Sequence, residues 1–382
     1  MPIKKRGGED QGGAKSSALV RRKIGGVQKS GPYAVDKTPK KFQLSGETAE
    51  LVKLWNGQAP GTIRRLTETI AFERVRSGIL SLDLCLVGGF MRSRAAMIYG
   101  ERSAGKSTLL AKFCSTALAQ QPDGVAAIVD IEGTVDKSWM ARQGVDIERV
   151  IIIEPSTGED AVDQIDALAR SAEVTFLGID SIAMLTPFKE LDSSAEDQQI
   201  GLQARLIGKM LRRLNNALLQ ERRRDHHPLV VMLNQFRMKA GFVMGDPRTL
   251  PGGKALEFVT SQQLEARNKE HKNEKTGIVD FNEHTIVVTK DKTGGRFKEA
   301  KFKLIRDEST DLPVGYIDQA KTILDFGERA GLVRGKYEVD GFKHKFRSAA
   351  DFGLYLIEHP AQEAAICEKI IQYYRTKWEI DV

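Results

Sequence analysis

Apolar runs of strand length alternate with helical patterns through the middle of the chain. The runs cover 95–99, 125–130, 150–153, 174–180 and 229–233, and helix-like stretches cover 106–120, 137–143, 158–171 and 202–222. Continuous apolar strands separated by helices are the pattern of a mostly parallel sheet covered on both faces, so the predicted fold class is α/β. Residues 263–267, 285–290 and 300–305 read as shorter strands joined by polar turns, a smaller antiparallel extension. From about 307 the pattern turns helical over 317–330 and 361–378, predicting a small α/β C-terminal domain over 307–382. Upstream, 42–75 reads as a lead-in with a short helix around 48–55 and a Pro60-Gly61 turn. No internal repeat is visible.

With 382 residues, 41% apolar and 29% charged, the chain can bury a sizeable core in two or three domains. Its three cysteines, Cys85, Cys114 and Cys367, are too few and too scattered for a disulfide framework, which predicts a reducing, cytoplasmic home. No apolar stretch reaches the roughly 20 residues that span a bilayer, so no membrane role is expected. Cys85 and Cys114 lie in apolar surroundings and read as core residues. His226 and His227 precede Pro228, while His271, His284, His344 and His359 stand alone, so all six are expected at the surface.

The net charge of +7 is unevenly placed. Residues 1–41 hold eleven basic side chains against three acidic ones, a charge of +8, and seven glycines, so the body is near neutral. Such a segment cannot bury enough surface to offset the entropy of ordering and reads as a disordered arm for polyanions.

The strongest motif is Gly100-Glu101-Arg102-Ser103-Ala104-Gly105-Lys106-Ser107, followed by Thr108, which satisfies G-x-x-x-x-G-K-[ST] between a predicted strand and a predicted helix. In such a loop backbone N–H groups and a helix N-terminus cradle phosphates, Lys106 reaches the β and γ phosphates, and Ser107 ligates Mg²⁺. The metal calls for a carboxylate nearby, and Asp180 ends a buried strand; alone it would read as a turn cap. Hydrolysis calls for a base, and Glu132 follows the neighbouring strand at the edge where ligands bind in parallel sheets.

Together with Ser77-Gly78-Ile79-Leu80-Ser81-Leu82-Asp83, Asp130-Ile131-Glu132-Gly133-Thr134-Val135-Asp136, Asp180-Ser181-Ile182-Ala183-Met184-Leu185-Thr186-Pro187 and Asn234-Gln235-Phe236-Arg237-Met238-Lys239, the phosphate motif resembles the RecA family of homologous-recombination ATPases from about Val75 to the C-terminus. The resemblance implies a RecA-type P-loop ATPase core over 76–306, and the lead-in 42–75 is expected to contact another protomer. It also implies that Glu132 is the hydrolytic base, that Asp136 and Trp139 flank the adenine of ATP, and that Gln235 senses the γ-phosphate. The glycine-rich loop 236–253, with Arg237, Met238, Lys239, Arg248, Gly252 and Gly253, would order around single-stranded DNA, and 190–201 would be the second DNA loop. Lys290 and Lys292 would reach the γ-phosphate held by the next protomer. Three positions depart from the family's usual residues: Met244 replaces a phenylalanine, Glu257 a basic residue and Arg306 an adenine-side tyrosine.

Independently of the resemblance, Leu202, Leu206, Met210, Leu214 and Leu218 form an apolar stripe, with Arg205, Lys209, Arg212 and Arg213 off it. A solvated basic face and a phosphate-binding face both fit; between two DNA loops, Arg205, Arg212 and Arg213 are expected to meet phosphates. The implied function is an ATP- and Mg²⁺-dependent recombinase that forms a helical homo-oligomeric filament on single-stranded DNA and exchanges strands with duplex DNA. Alternatives are a ring helicase or motor of the same superfamily and an ATP-switched filament or mediator protein without strong hydrolysis.

Overall fold

The computed structural model describes residues 45–58, 63, 73–192, 201–238, 245–292, 294–308, 311–335 and 337–378. The expected arm 1–41 and the Pro60-Gly61 turn lie outside them. The chain divides into two units, Met1–Gln58 and Ala59–Val382. In the first, helix α1 (Glu47–Gln58) occupies the place of the predicted short helix and exposes Leu51, Leu54 and Trp55.

The second unit opens with β1 (Arg74–Val75), α2 (Leu80–Cys85) and β2 (Phe90–Met91). The alternation follows: β3 (Ala95–Gly100), α3 (Lys106–Gln120), β4 (Val125–Asp130), α4 (Lys137–Arg142), β5 (Val150–Ile153), α5 (Gly158–Ala169), β6 (Val174–Asp180) and α6 (Phe188–Asp192). After α7 (Leu202–Arg223) and β7 (Leu229–Gln235) come β8 (Arg237–Met238), β9 (Arg248–Thr249) and α8 (Lys254–Val259). The chain then builds β10 (Gln262–Lys272), β11 (Val279–Asp291), β12 (Glu299–Ile305) and β13 (Ile317–Asp318). It ends with α9 (Ala320–Arg329), β14 (Val333–Arg334), β15 (Glu338–Val339), α10 (Ala349–Glu358) and α11 (Pro360–Lys377).

Nine strands form one sheet in the order β13-β12-β11-β10-β3-β7-β6-β4-β5. Neighbours from β10 to β5 are parallel, and β10 through β13 are antiparallel. Alternate residues of the parallel strands point to opposite faces. Ile98, Ile128 and Leu233 pack with Leu109, Phe113 and Cys114 of α3, whereas Met97, Val129 and Met232 pack with Ile165 of α5 and with Met210 and Leu214 of α7. Burial on this scale is worth roughly 1.5–3 kcal/mol for each large apolar side chain, which is why both faces of the sheet must be covered. A third core joins Leu80 and Leu84 of α2 to Ile323, Phe352, Leu356, Ile370 and Tyr374 of the C-terminal helices. Cys85 and Cys114 are buried as expected, and burial pushes both thiols up to about 12.

Three expectations need correction. The antiparallel strands are not short: β10 and β11 run for 11 and 13 residues. Their far ends carry Lys269, Glu270, His271 and Asn282, so apolar alternation fades while the backbone ladder continues. Residues 317–330 are not one helix: Ile317 and Asp318 pair with Leu304 and Lys303 as the edge strand β13, beyond the 306/307 boundary expected from the sequence, and the helix starts at Ala320. Helix α10 was not anticipated, although Ser348 caps it by accepting from the Asp351 N–H at 3.1 Å and Phe352 and Leu356 recur four residues apart.

Candidate active site

Four parallel strands bring the predicted chemistry to one edge. Gly100 ends β3 and pairs with Gln235 at the end of β7, and Asp180 at the end of β6 pairs with Asp130 at the end of β4. Between them opens a cleft of about 720 Å³ whose lining includes Arg102 to Thr108, Glu132, Asp180 and Gln235.

The phosphate loop turns out of β3 and into α3 without a β-carbon where it is tightest. Gly105 has φ +85°, and a Cβ there would sit 2.4 Å from the His284 ring. Gly100 lies against the Ala266 carbonyl, where a Cβ would stand 2.3 Å from oxygen. Lys106 is buried and donates to the carbonyls of Glu101 at 2.7 Å and Gly100 at 3.3 Å, holding its ammonium inside the loop. Burial lowers its pKa from the ordinary lysine value, against the pull of Asp180, Glu132 and Glu101.

Ser107 Oγ donates to Asp180 Oδ2 at 2.9 Å. Burial pushes the Asp180 carboxyl up to about 6; the Ser107 bond opposes this, and the nearby Glu132 and Asp130 charges add to it. A hydroxyl and a carboxylate in contact beside a phosphate loop suit a divalent cation whose remaining ligands are phosphate and water. Glu132 Oε1 accepts from Gln235 Nε2 at 2.5 Å and from Ser181 Oγ at 2.6 Å. Asp130 is spent on structure, taking the N–H groups of Gly133 and Val135 at 2.9 Å each and so shaping the turn that carries Glu132.

Asp136 and Trp139 are not among the residues lining the cleft, and Trp139 reaches it through Thr108. Asp136 caps α4 by accepting from the Trp139 N–H at 2.6 Å, and the Trp139 indole donates to Thr108 Oγ1 at 3.0 Å. Arg306 lines the cleft with its guanidinium 5.6 Å from the Trp139 ring. The opposite wall carries Asn268, Asn282 and His284, which the sequence reading missed. Polar residues on the inward alternation of β11, in line with buried Ile286 and Val288, were the available signal. The surface expectation for histidines fails here, since His284 is only 2% exposed and stacks on Phe302 at 5.1 Å. Among the others His344 is exposed and His226, His227, His271 and His359 are half-buried.

Beyond Gln235, the chain enters the expected DNA loop, and its two ends are zipped together. Arg237 and Met238 in β8 pair with Thr249 and Arg248 in β9. Arg237 donates to the Ala183 carbonyl at 2.6 Å and to Gln203 at 3.1 Å, and Arg248 lies 4.6 Å over the Phe236 ring. Asn234 is buried and donates to the Pro251 carbonyl at 3.1 Å, tying the end of β7 to the return of the loop. Gly252 and Gly253 follow with φ of +99° and +53°. Lys239, Met244 and 193–200 of the other expected loop lie outside the described residues.

On α7, Arg205 and Arg212 are exposed, but Arg213 is turned toward α5, where it is bonded to Asp163 and lies 3.2 Å from Asp166. Its expected phosphate role meets an intramolecular competitor. Lys290 and Lys292 are absent from the cleft. Lys290 donates to the Thr260 carbonyl at 2.6 Å and to the carbonyl of Glu257, and Lys292 is exposed.

The chain matches the family described as RecA N-terminal domain over residues 51–311. It is similar to Protein RecA of Francisella tularensis subsp. novicida (strain U112), with 39% identity over 263 residues, 68% of this chain and 71% of that relative. Protein RecA of subsp. holarctica (strain LVS) and of subsp. tularensis (strain SCHU S4 / Schu 4) match to the same extent.

Proposed function

This chain belongs to the RecA family of recombinases, and on that premise we propose that it hydrolyses ATP while assembled on single-stranded DNA and exchanges strands with homologous duplex. The observation that carries this reading is the bond from Gln235 to Glu132. Gln235 is the last residue of the strand that feeds the 236–253 loop, so a change in that loop reaches the base through one side chain.

In this reading Lys106 and the loop N–H groups hold the triphosphate, and Ser107 and Asp180 hold Mg²⁺, which when bound neutralises charge on the phosphates. Glu132 orients a water and takes its proton. The water oxygen bonds to the γ-phosphorus as the bond to the β–γ bridging oxygen breaks and its electron pair leaves with ADP. Trp139 and Arg306 bound the adenine side. Arg205, Arg212, Arg237 and Arg248 meet DNA phosphates, which give affinity without sequence preference.

Lys290 and Lys292 act on the nucleotide of the next copy. Support comes from sheet direction: Lys290 pairs with Gln263, which pairs with Met97, three residues before Gly100. That is roughly 10 Å down the sheet and roughly 10 Å across it from the phosphate loop, beyond a lysine's reach. Self-assembly is supported further by the edge of β5, which pairs with no second strand among the described residues and exposes Ile151 and Ile152. Among the described residues no helix is long and apolar enough to cross a membrane.

The test is electron microscopy with single-stranded DNA and a slowly hydrolysed ATP analogue, joined to a DNA-stimulated ATPase assay. Helical filaments and stimulated turnover are expected. Rings with directional unwinding of a forked duplex would favour a motor, and assembly without stimulated turnover would favour a structural switch.

A further inference from the structure

Glu132 receives two donors on the same oxygen, and they differ in how tightly they are held. Gln235 closes β7 at the mouth of the 236–253 loop and is partly exposed. Ser181 is completely buried. It follows Asp180 directly, and the Asp180 carbonyl in turn accepts the N–H groups of Ile131 at 2.7 Å and Glu132 at 3.3 Å. The serine hydroxyl is therefore mounted on the same backbone junction that carries the glutamate. Its single proton is directed at Oε1, 2.6 Å away.

We propose that Ser181 is a positioning residue for the hydrolytic base, holding the Glu132 carboxylate in one orientation so that Oε2 faces the attacking water. With both donors on Oε1 and Glu132 lining the cleft, Oε2 is the oxygen left for water. If Gln235 leaves Glu132 to meet the γ-phosphate, a carboxylate held by that amide alone would be free to rotate, whereas Ser181 stays in place. The buried serine thus separates two tasks: Gln235 reports on nucleotide and DNA, and Ser181 keeps the base aimed while it does so. The proton balance is that of the hydrolysis above: water gives its proton to Oε2, and Glu132 returns it to the released phosphate. Ser181 supplies a hydrogen bond throughout and exchanges no proton.

The inference rests on Glu132 being the base, and the test separates the two claims. Turnover and KM for ATP are measured on saturating single-stranded DNA for the full chain, Ser181→Ala, Glu132→Gln and the double variant, with binding of a non-hydrolysable ATP analogue measured alongside. Ser181→Ala is expected to lower kcat about 10- to 100-fold, leaving KM and analogue binding within about twofold. In the Glu132→Gln background the same change should cost less than about twofold, because a residue that acts through another has nothing left to position. Ser181→Thr, which keeps the hydroxyl, should retain turnover within about fivefold of the parent.

Equal losses from Ser181→Ala in both backgrounds would overturn the inference in favour of a packing role, as would a Ser181→Thr protein no better than Ser181→Ala. An unchanged kcat in Ser181→Ala would overturn it outright. Full turnover in Glu132→Gln would overturn the base assignment and the inference with it. Should Ser181→Ala fail to fold, Ser181→Cys, which keeps the size of the side chain and offers only a weak thiol donor, takes its place in each of these comparisons.

Discussion

In the parallel half of the sheet, β3, β7, β6 and β4 end at one edge, so the phosphate loop, Gln235, Asp180 and the turn bearing Glu132 meet in a single crevice. In the antiparallel half, β11 runs back the other way and delivers Lys290 and Lys292 to the edge where β3 begins. The two halves share one hydrogen-bonded sheet, yet one builds a site within the protomer and the other carries cations away from it. Strand direction alone sets Lys290 out of reach of its own phosphate loop, and the proposed role of the two lysines at a neighbour's nucleotide builds on that. That arrangement would make turnover wait for assembly.

The sharpest way to break this comparison is to remove both lysines. Lys290→Ala/Lys292→Ala should lower DNA-stimulated turnover by about 10³-fold, the scale of a cation supplied in trans at a phosphoryl transition state. Nucleotide binding by unassembled protein should be unaffected. Lost nucleotide binding in the unassembled protein would place the lysines at their own site after all.

Glu132→Gln touches the other half and should cost about 10²- to 10⁴-fold in turnover while ATP and DNA binding persist. Mixed with the lysine variant, it should recover turnover, because some junctions would pair an intact base with intact lysines. Co-assembly without any recovery would count against sharing.

A third test concerns what anchors the antiparallel half. Helix α2 supports β12, with Ser81 Oγ donating to the Lys301 carbonyl at 2.9 Å. The same helix buries Asp83, which accepts the Ser77 N–H at 2.7 Å. Burial pushes the Asp83 carboxyl up from 3.8 to about 6. The folded state therefore holds a proton that the unfolded chain releases near the usual carboxylate value. Stability contributed by this group should fall as pH rises from about 4 to about 6, by up to roughly 3 kcal/mol, and then level off. Asp83→Asn keeps the acceptor and loses the titration. Chemical denaturation of both proteins across that window should give a difference curve of this sign, and a flat one would show that folding leaves the Asp83 pKa at its unfolded value.

The smallest effect separates two neighbouring arginines on α7. Arg212→Ala should lower the slope of log K against log salt on single-stranded DNA by about 1, the share of one phosphate contact. Arg213→Ala should leave it unchanged, since Asp163 and Asp166 already occupy that guanidinium. A slope lowered equally in both variants would mean that DNA displaces the carboxylates, and two unchanged slopes would remove Arg212 from the DNA contacts.

Much of this molecule was legible along the chain. The runs at 125–130, 150–153 and 174–180 became strands with the same bounds, and Lys106–Gln120 became α3, because buried parallel strands and the helices covering them write their periodicity into neighbouring residues. The phosphate loop was equally local: its glycines, lysine and serine lie within eight positions. What could not be read were properties of residues far apart in sequence. Glu132 and Gln235 are separated by 103 positions and share a hydrogen bond. Arg213 and Asp163 are 50 apart, and only folding made the arginine a partner of α5 instead of a solvent-facing cation. His284 stood alone as a letter and became the floor beneath Gly105 once β11 lay across β10. Periodicity records which face of an element is buried. It carries no information on which buried groups from distant strands meet, since that depends on pairing direction and register, and these are set only when the whole sheet closes.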